Sequence, residues 1–202
     1  MPWLLVKKLE MTRVVKEYKF IPVTLLQIPE LKVVAKKTTD KEGYCSLSIW
    51  ILQKWKEWIK KDWKTTLNLS DFEVIKEFIV DWSKVENYNI WDTISIDILE
   101  WIESVTIEWF SKWKWFAWAM KRWNFSWGPG GHWSKFHRAL GSIWNRKPRR
   151  THKWKKMHWH MWNEKVTIKN VNIEVLNKEL NVVWVRWWVP GWRNSLVKLI
   201  LN

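Results

Sequence analysis

The chain has 202 residues, 47% hydrophobic and 27% charged, which is the bulk composition of a globular protein. Its apolar runs, such as 182–185 and 199–201, are far shorter than the roughly 20 residues of a membrane span, and its first residues lack the apolar region of a signal peptide. The single cysteine, Cys45, excludes an internal disulfide framework and a cysteine zinc cluster, and it fits a reducing compartment. We therefore expect a soluble protein that is not exported by an obvious signal.

Period-two alternation and β-branched residues predict strands on both sides of a central stretch that lacks them. In chain order the predicted strands span 4–9, 20–28, 31–36, 43–51, 77–80, 93–99, 166–176, 182–189 and 195–201. The polar residues 54–63 are expected to be helical or irregular, and Ser70 with Glu73 matches a capping box at the start of a short helix. These patterns predict a mainly β fold, a sheet or a barrel, with a small insert at about 52–72.

The net charge of +15 is concentrated in one part of the chain. Residues 110–165 hold 14 Lys or Arg and one acid, Glu164, whereas the other 146 residues hold 21 basic and 19 acidic side chains. All five His and many aromatic, amide, hydroxyl and turn residues also lie there, but the same stretch contains no Val and only one Leu and one Ile. We predict a β domain formed by 1–105 and 166–202, from which residues 106–165 extend as a basic arm.

The composition of this arm is typical of a surface that binds a polyanion. Lys and Arg neutralise phosphates, while aromatic rings and amides contact unstacked bases and ribose hydroxyl groups, so RNA is the leading partner. A merely solvated charged face is the alternative, although thirteen uncompensated positive charges would repel one another. A metal site at His132, His137, His158 and His160 is disfavoured because no Cys or carboxylate joins them in this cationic stretch.

Three stretches of the arm carry a family resemblance. SKWKWFAWAMKRWNF (111–125), GPGGHWSKFHRALGSIW (128–144) and WKKMHWHMWNEKVTIKN (154–170) resemble motifs of the ribosomal protein L three family of the large subunit. Outside the arm, KKLEMTRV (7–14), FIPVTLL (20–26), KEFIVD (76–81) and VPGWRNSLV (189–197) are similar to further motifs of that family, in the same order. The resemblance therefore covers nearly the whole chain.

The resemblance implies a structural, non-enzymatic constituent of the large ribosomal subunit. Its globular part would be a translation-protein-type β-barrel resting on rRNA, and its arm would extend toward the peptidyl transferase region. It would assist early subunit assembly, near the 3′ part of the large rRNA. The implied partners are large-subunit rRNA and neighbouring ribosomal proteins, with no cofactor, metal, membrane or small-molecule substrate. The protein would be located in cytoplasmic ribosomes or in those of an organelle. The alternative is a stand-alone basic RNA-binding module or RNA chaperone, and a third class, a basic metalloprotein or enzyme, has no supporting motif.

The candidate rRNA-binding residues are the cations expected to neutralise phosphates, together with aromatic, imidazole and polar side chains that stack on bases or donate hydrogen bonds. They are Lys7, Lys8, Arg13, Lys112, Lys114, Lys121, Arg122, Trp123, Asn124, Phe125, His132, Ser134, Lys135, Phe136, His137, Arg138, Arg146, Lys147, Arg149, Arg150, Lys153, Lys155, Lys156, His160 and Asn163.

Tryptophan is unusually abundant, with 23 Trp beside 6 Gly. Eight of them stand where the family motifs have glycine: Trp113, Trp115, Trp118, Trp133, Trp144, Trp154, Trp159 and Trp162. Trp123 does not, because the family commonly has Trp there. UGA encodes tryptophan in some genetic codes and glycine in others, so we hypothesise that most of these residues are glycines translated with the wrong code. The alternative is genuine Trp installed for base stacking, worth about 1–3 kcal/mol per base.

Overall fold

A computed structural model describes residues 3–52, 72–80, 85, 87–143, 146–147 and 149–201. The strands are β1 (Trp3–Lys16), β2 (Lys19–Gln27), β3 (Leu31–Lys37), β4 (Ser46–Leu52), β5 (Phe72–Ile79), β6 (Thr93–Ile94), β7 (Ser104–Phe110), β8 (Lys114–Ala117), β9 (Trp159–Met161), β10 (Lys165–Asn177), β11 (Val182–Arg186) and β12 (Leu196–Leu201). The helices are α1 (Thr39–Glu42), α2 (Ala119–Trp123) and a 3-10 turn at Ile96–Leu99. The prediction of a mainly β fold is confirmed.

Six strands close into a barrel in the order β1, β12, β7, β10, β11, β2. The pairings of β1 with β12 and of β11 with β2 are antiparallel, and they place Leu5 opposite Lys198 and Val183 opposite Leu26. A second sheet follows the order β5, β4, β3, β6. Closure removes the exposed edges that an open sheet of this length would present.

The barrel and the second sheet share one hydrophobic core. Leu4, Leu5 and Val6 are all buried, so β1 is covered on both of its faces, since successive strand residues point to opposite sides. Phe78 of β5 and Ile107 of β7 belong to the same buried cluster. Burial of such side chains stabilises a fold by about 1.5–3 kcal/mol each.

Several predicted strands have different bounds in the structure. The predicted strand 93–99 is wrong beyond Ile94, because Ile96 and Leu99, three residues apart, are buried together by a 3-10 turn. The predicted strand 43–51 starts later, at Ser46, after Gly43 closes α1 with a φ of 79°. The predicted strand 182–189 ends at Arg186, where the chain turns into the left-handed region.

Two further differences concern residues around the insert and before the arm. Glu73 lies in β5, so the predicted helix start is wrong there, and Ser70 and residues 54–63 lie outside the described residues. The sequence did not predict β7, which pairs with β12 and extends the barrel to Phe110. Acidic residues around β7 interrupt its apolar pattern, although Val105 and Ile107 are buried.

Candidate nucleic-acid interface

The chain divides into two compact units, Met1–Trp109 with Lys165–Asn202, and Phe110–Glu164. We call the first the barrel unit and the second the basic unit. The basic unit contains 13 Lys or Arg and one acid. The single carboxylate of this unit balances only one of its positive charges, and the remaining charge needs anions from elsewhere.

The basic unit has its own small framework of regular structure. β8 pairs antiparallel with β9, with Lys114 opposite Met161 and Ala117 opposite Trp159. Outside this pair, toward the ends of the unit, the Ser111 amide donates to the Glu164 carbonyl at 2.8 Å, and the Glu164 amide donates to Ser111 Oγ at 3.1 Å. These bonds bring the two ends of the unit together. The predicted extended loop is thus partly regular at its base.

Helix α2 follows β8 and positions three candidate residues. It ends at Asn124, which has a φ of 57° and so stops the helix in a left-handed conformation. Lys121 and Arg122 lie in its last turn, where positive charge is favoured by the helix dipole. A short amphipathic run with Ala119 buried explains this helix, which the sequence prediction did not include.

Arg122 and Lys156 both lie beside the ring of Trp123. Arg122 Nη1 and Trp123 Nε1 both donate to the Met157 carbonyl, at 2.8 Å and 2.9 Å. The Arg122 guanidinium carbon lies 5.0 Å from the Trp123 ring centroid, and Lys156 Nζ lies 5.5 Å from it. Cation–π contacts of this kind hold two positive charges beside an aromatic ring, which is the combination that binds a phosphate and its base together.

Candidate residues of the loop between Asn124 and Ile143 are mainly exposed. The Gly128 amide donates to the His137 carbonyl at 3.0 Å, which closes the loop. A side chain at Gly128 would place its Cβ 1.6 Å from the Phe136 carbonyl oxygen, so only glycine fits. His132, Lys135, Phe136, His137 and Arg138 are exposed, whereas Phe125 and Ser134 are half-buried.

The second half of the basic unit presents a dense run of exposed cations. They are Arg146, Lys147, Arg149, Arg150, Lys153, Lys155 and Lys156. The Lys155 amide donates to the His152 carbonyl at 3.3 Å and forms a turn within this run. Exposed cations in such density match the positive footprint of a nucleic-acid-binding surface.

The remaining candidates have different surroundings. His160 is half-buried in β9, and its Nδ1 is buried without a hydrogen-bond partner among the described residues. Asn163 is exposed with a φ of 60°. Lys112 and Lys114 are half-buried beside and within β8. Phe116 and His158, which are not among the candidate residues, have rings that lie 5.2 Å apart beside this hairpin. The alternation of aromatic residues with lysines at 112–116 was the available signal.

Three candidates lie on β1 of the barrel unit. Lys8 Nζ donates to the Val189 carbonyl at 2.5 Å and to the Gly191 carbonyl at 3.2 Å. Its ammonium therefore binds the loop between β11 and β12 and stabilises the barrel unit. The Arg13 guanidinium lies 4.7 Å from the Phe20 ring and is exposed, while Lys7 is half-buried. Of the three, Arg13 is the cation most open to a phosphate.

Ion pairs occur in the barrel unit at the points where the chain leaves and returns. Lys165 Nζ lies 3.0 Å from Glu108 Oε1, and Lys198 Nζ lies 3.7 Å from the same oxygen. The hydrogen bond from Lys165, with added attraction from Lys198, lowers the pKa of Glu108. Glu108 is therefore a carboxylate at neutral pH and joins three strands, β7, β10 and β12.

The part of the chain that the structure describes contains no group of three His, Cys, Asp or Glu side chains placed to hold a metal ion. Within the same residues, no helix combines the length and apolar character that crossing a membrane requires.

A β-barrel unit and a compact cationic unit with exposed aromatic and imidazole rings define a nucleic-acid-binding protein. No protein-family model matches the chain. It is 34% identical over 201 residues to the large ribosomal subunit protein uL3 of Fervidobacterium nodosum, which covers 98% of this chain and 96% of that protein. It is 37% identical to uL3 of Thermosipho africanus over 95% of this chain and 93% of that protein. It is 33% identical to uL3 of Borreliella afzelii over 95% of this chain and 94% of that protein. The chain belongs to the uL3 family, which confirms the resemblance seen in its motifs.

Proposed function

We propose that this chain is a structural constituent of the large ribosomal subunit that binds large-subunit rRNA and neighbouring ribosomal proteins. The observation that carries this function is the match to uL3 proteins along nearly the full length of both chains. Members of this family are structural ribosomal proteins, which supports the prediction of a non-enzymatic protein.

The basic unit is the proposed rRNA-binding element. Its 13 cations and single acid make it attractive to a polyanion, and binding would release the counterions condensed on the phosphates. The exposed run from Arg146 to Lys156 would supply most of the phosphate contacts. The group formed by Arg122, Trp123 and Lys156 would add a ring and two cations at a fixed position. Arg13 would add a contact from the barrel unit.

The remaining parts of the proposal concern position and assembly. A unit whose buried hydrophobic side chains include little more than Ala117 and Ala119 among the described residues gains most of its order from a partner. Such an element can extend into packed rRNA, and the resemblance to the family motifs supports an orientation toward the peptidyl transferase region. Because its partner RNA must fold around it, we propose that the protein joins the subunit early in assembly.

The test is to locate the native protein among cell fractions. Large subunits from the native cells are washed with high salt, digested with trypsin and searched for the peptide NVNIEVLNK, residues 170–178. This peptide contains no Trp, so its detection does not depend on the identity of any tryptophan position. We expect it in washed large subunits at the level of other core proteins. Its absence there, with abundance in the soluble fraction, would refute a ribosomal role and favour a stand-alone RNA binder.

A further inference from the structure

We infer that the polypeptide made in the native cell carries glycine at five positions read as tryptophan: Trp91, Trp133, Trp154, Trp162 and Trp187. The five share a left-handed backbone, with φ values of 77°, 55°, 65°, 66° and 76°. In this region the Cβ of an L residue crowds its own backbone, and only Gly, with Asn and Asp to a lesser extent, adopts it routinely. A bulky aromatic residue there is uncommon, and in this chain Tyr18 also adopts it, with a φ of 62°, in the two-residue turn between β1 and β2.

Hydrogen bonds fix this backbone at two of the five positions in the barrel unit. The Trp187 amide donates to the Pro22 carbonyl at 2.8 Å, and Thr24 Oγ1 donates to the Trp187 carbonyl at 2.6 Å. The Trp91 amide donates to the Val33 carbonyl at 2.7 Å. A return to negative φ would disrupt these bonds. The fold therefore requires the left-handed conformation regardless of the side chain.

All five indole rings are exposed, and three of them are more than half exposed. Trp133 is 100% exposed, Trp154 is 96% exposed and Trp187 is 59% exposed. Tryptophan is usually among the more buried residues of a folded protein, since its area makes burial strongly favourable. Among the described residues, the buried hydrophobic set consists of Leu, Ile, Val, Phe and Ala and includes no Trp. Neither core packing nor backbone preference accounts for these five tryptophans.

Trp123 shows what a required tryptophan looks like in the same chain. It ends α2 without a positive φ, and its Nε1 donates to the Met157 carbonyl at 2.9 Å. Arg122 and Lys156 both lie over its ring. Glycine would abolish all three contacts. The Trp162 ring also lies 5.8 Å from Lys114 Nζ, but its backbone is left-handed. The backbone therefore separates Trp123 from the other five positions, and the indole hydrogen bond adds to the difference.

A reading of UGA codons as glycine explains the pattern. The five positions would be encoded by UGA and Trp123 by UGG, and translation with a code in which UGA means tryptophan would give the sequence with 23 Trp and 6 Gly. In the basic unit, glycine at positions 133, 154 and 162 would let the main chain approach a ligand more closely than an indole allows. The inference rests on backbone geometry and not on the proposed ribosomal function.

The experiment is peptide mass spectrometry of the native protein in a whole-cell digest, combined with the codons of its gene. The tryptic peptide 123–135 contains both Trp123 and Trp133, so one fragment spectrum holds the test and its control. Peptides 157–165 and 187–193 report on Trp162 and Trp187. We expect Trp at 123 and Gly at 133, 162 and 187, with UGA codons at these three positions and at 91 and 154.

Each alternative result overturns the inference in a defined way. Tryptophan at 133, 162 or 187 in the native peptides would show that the strained residue is genuine. Glycine at 123 would show that backbone conformation and side-chain contacts do not distinguish the two kinds of position. Because the digest is made from whole cells, neither result depends on whether the protein resides in ribosomes.

Discussion

Removing two exposed arginines of the basic unit should change the salt dependence of rRNA binding by a calculable amount. Arg149 and Arg150 are adjacent and exposed in the cationic run, and the only acid of their unit is Glu164. The double variant Arg149→Gln, Arg150→Gln keeps polar side chains of similar length and removes two charges. If both contact phosphates, the slope of log K against log salt should become less negative by about 1.4–1.8, at about 0.7–0.9 per phosphate.

The same calculation gives the loss of affinity. Taking counterion release as the whole contribution, two lost phosphate contacts weaken binding by about 25- to 60-fold at about 0.1 M salt. The assay is filter binding of the full chain to a large-subunit rRNA transcript over about 50–200 mM salt, a range in which electrostatic binding changes steeply. A small-subunit rRNA transcript serves as the competitor that reports on specificity.

A matched pair on the barrel unit controls for net charge. Lys36 lies in β3 and Lys76 in β5, outside the proposed interface, and Lys36→Gln with Lys76→Gln removes the same two charges. We expect the slope of this control to equal that of the parent chain. An unchanged slope in the arginine variant would refute the phosphate contacts. An equal change in both variants would show that net charge, and not the basic unit, controls binding.

Three further outcomes are expected. Glu108→Gln should destabilise the barrel unit at neutral pH. Because Lys165 lowers the pKa of Glu108, the stability that the carboxylate contributes is complete above the ordinary pKa of 4.5 and is lost as the pH falls through the folded-state pKa. The urea unfolding midpoints of the variant and the parent chain should therefore converge in acid. Trp123→Ala should weaken rRNA binding by about 1–3 kcal/mol in the same filter assay. Trp123→Phe should have an intermediate affinity, because it keeps a stacking face but loses the hydrogen bond to Met157. Equal affinities of the parent chain and the alanine variant would remove Trp123 from the interface. Trp187→Gly should raise the melting temperature by up to about 6 °C. The relief of about 1–2 kcal/mol of left-handed strain exceeds the entropic cost of glycine, about 0.5–1 kcal/mol, by up to about 1.5 kcal/mol. A lower melting temperature in calorimetry would contradict the strain.

The barrel strands were predictable because their core is encoded in local alternation. Predicted strands 20–28 and 31–36 agree with β2 and β3 within two residues, and both have β-branched or leucine side chains on a buried face. Where two buried residues lie three apart, as at Ile96 and Leu99, apolar content alone did not distinguish a strand from a 3-10 turn. Closure of the barrel depends on pairing between distant strands, which no local pattern specifies.

The candidate interface was predictable as a composition and not as a geometry. The excess of cations between 110 and 165 identified the region, because counting charged and apolar residues along the sequence is enough to find it. The meeting of Arg122 and Lys156 over Trp123 joins residues more than thirty positions apart and depends on the pairing of β8 with β9. Likewise, nothing local indicated that Lys8 would donate to the Val189 and Gly191 carbonyls of the barrel.

The two units obtain their order from different sources. The barrel unit buries a continuous set of Leu, Ile, Val and Phe side chains, so hydrophobic burial can offset the entropy of ordering its chain. The basic unit buries Ala117 and Ala119 among its described residues and concentrates like charges, which oppose its compaction in water. Phosphates would remove that repulsion. The β8–β9 pair needs only to bring the ends of the unit together, and Glu108 with Lys165 joins the strands that lead into and out of it. We propose that the stable barrel unit carries a segment whose folding is completed by RNA, which would couple its order to the assembly of the particle.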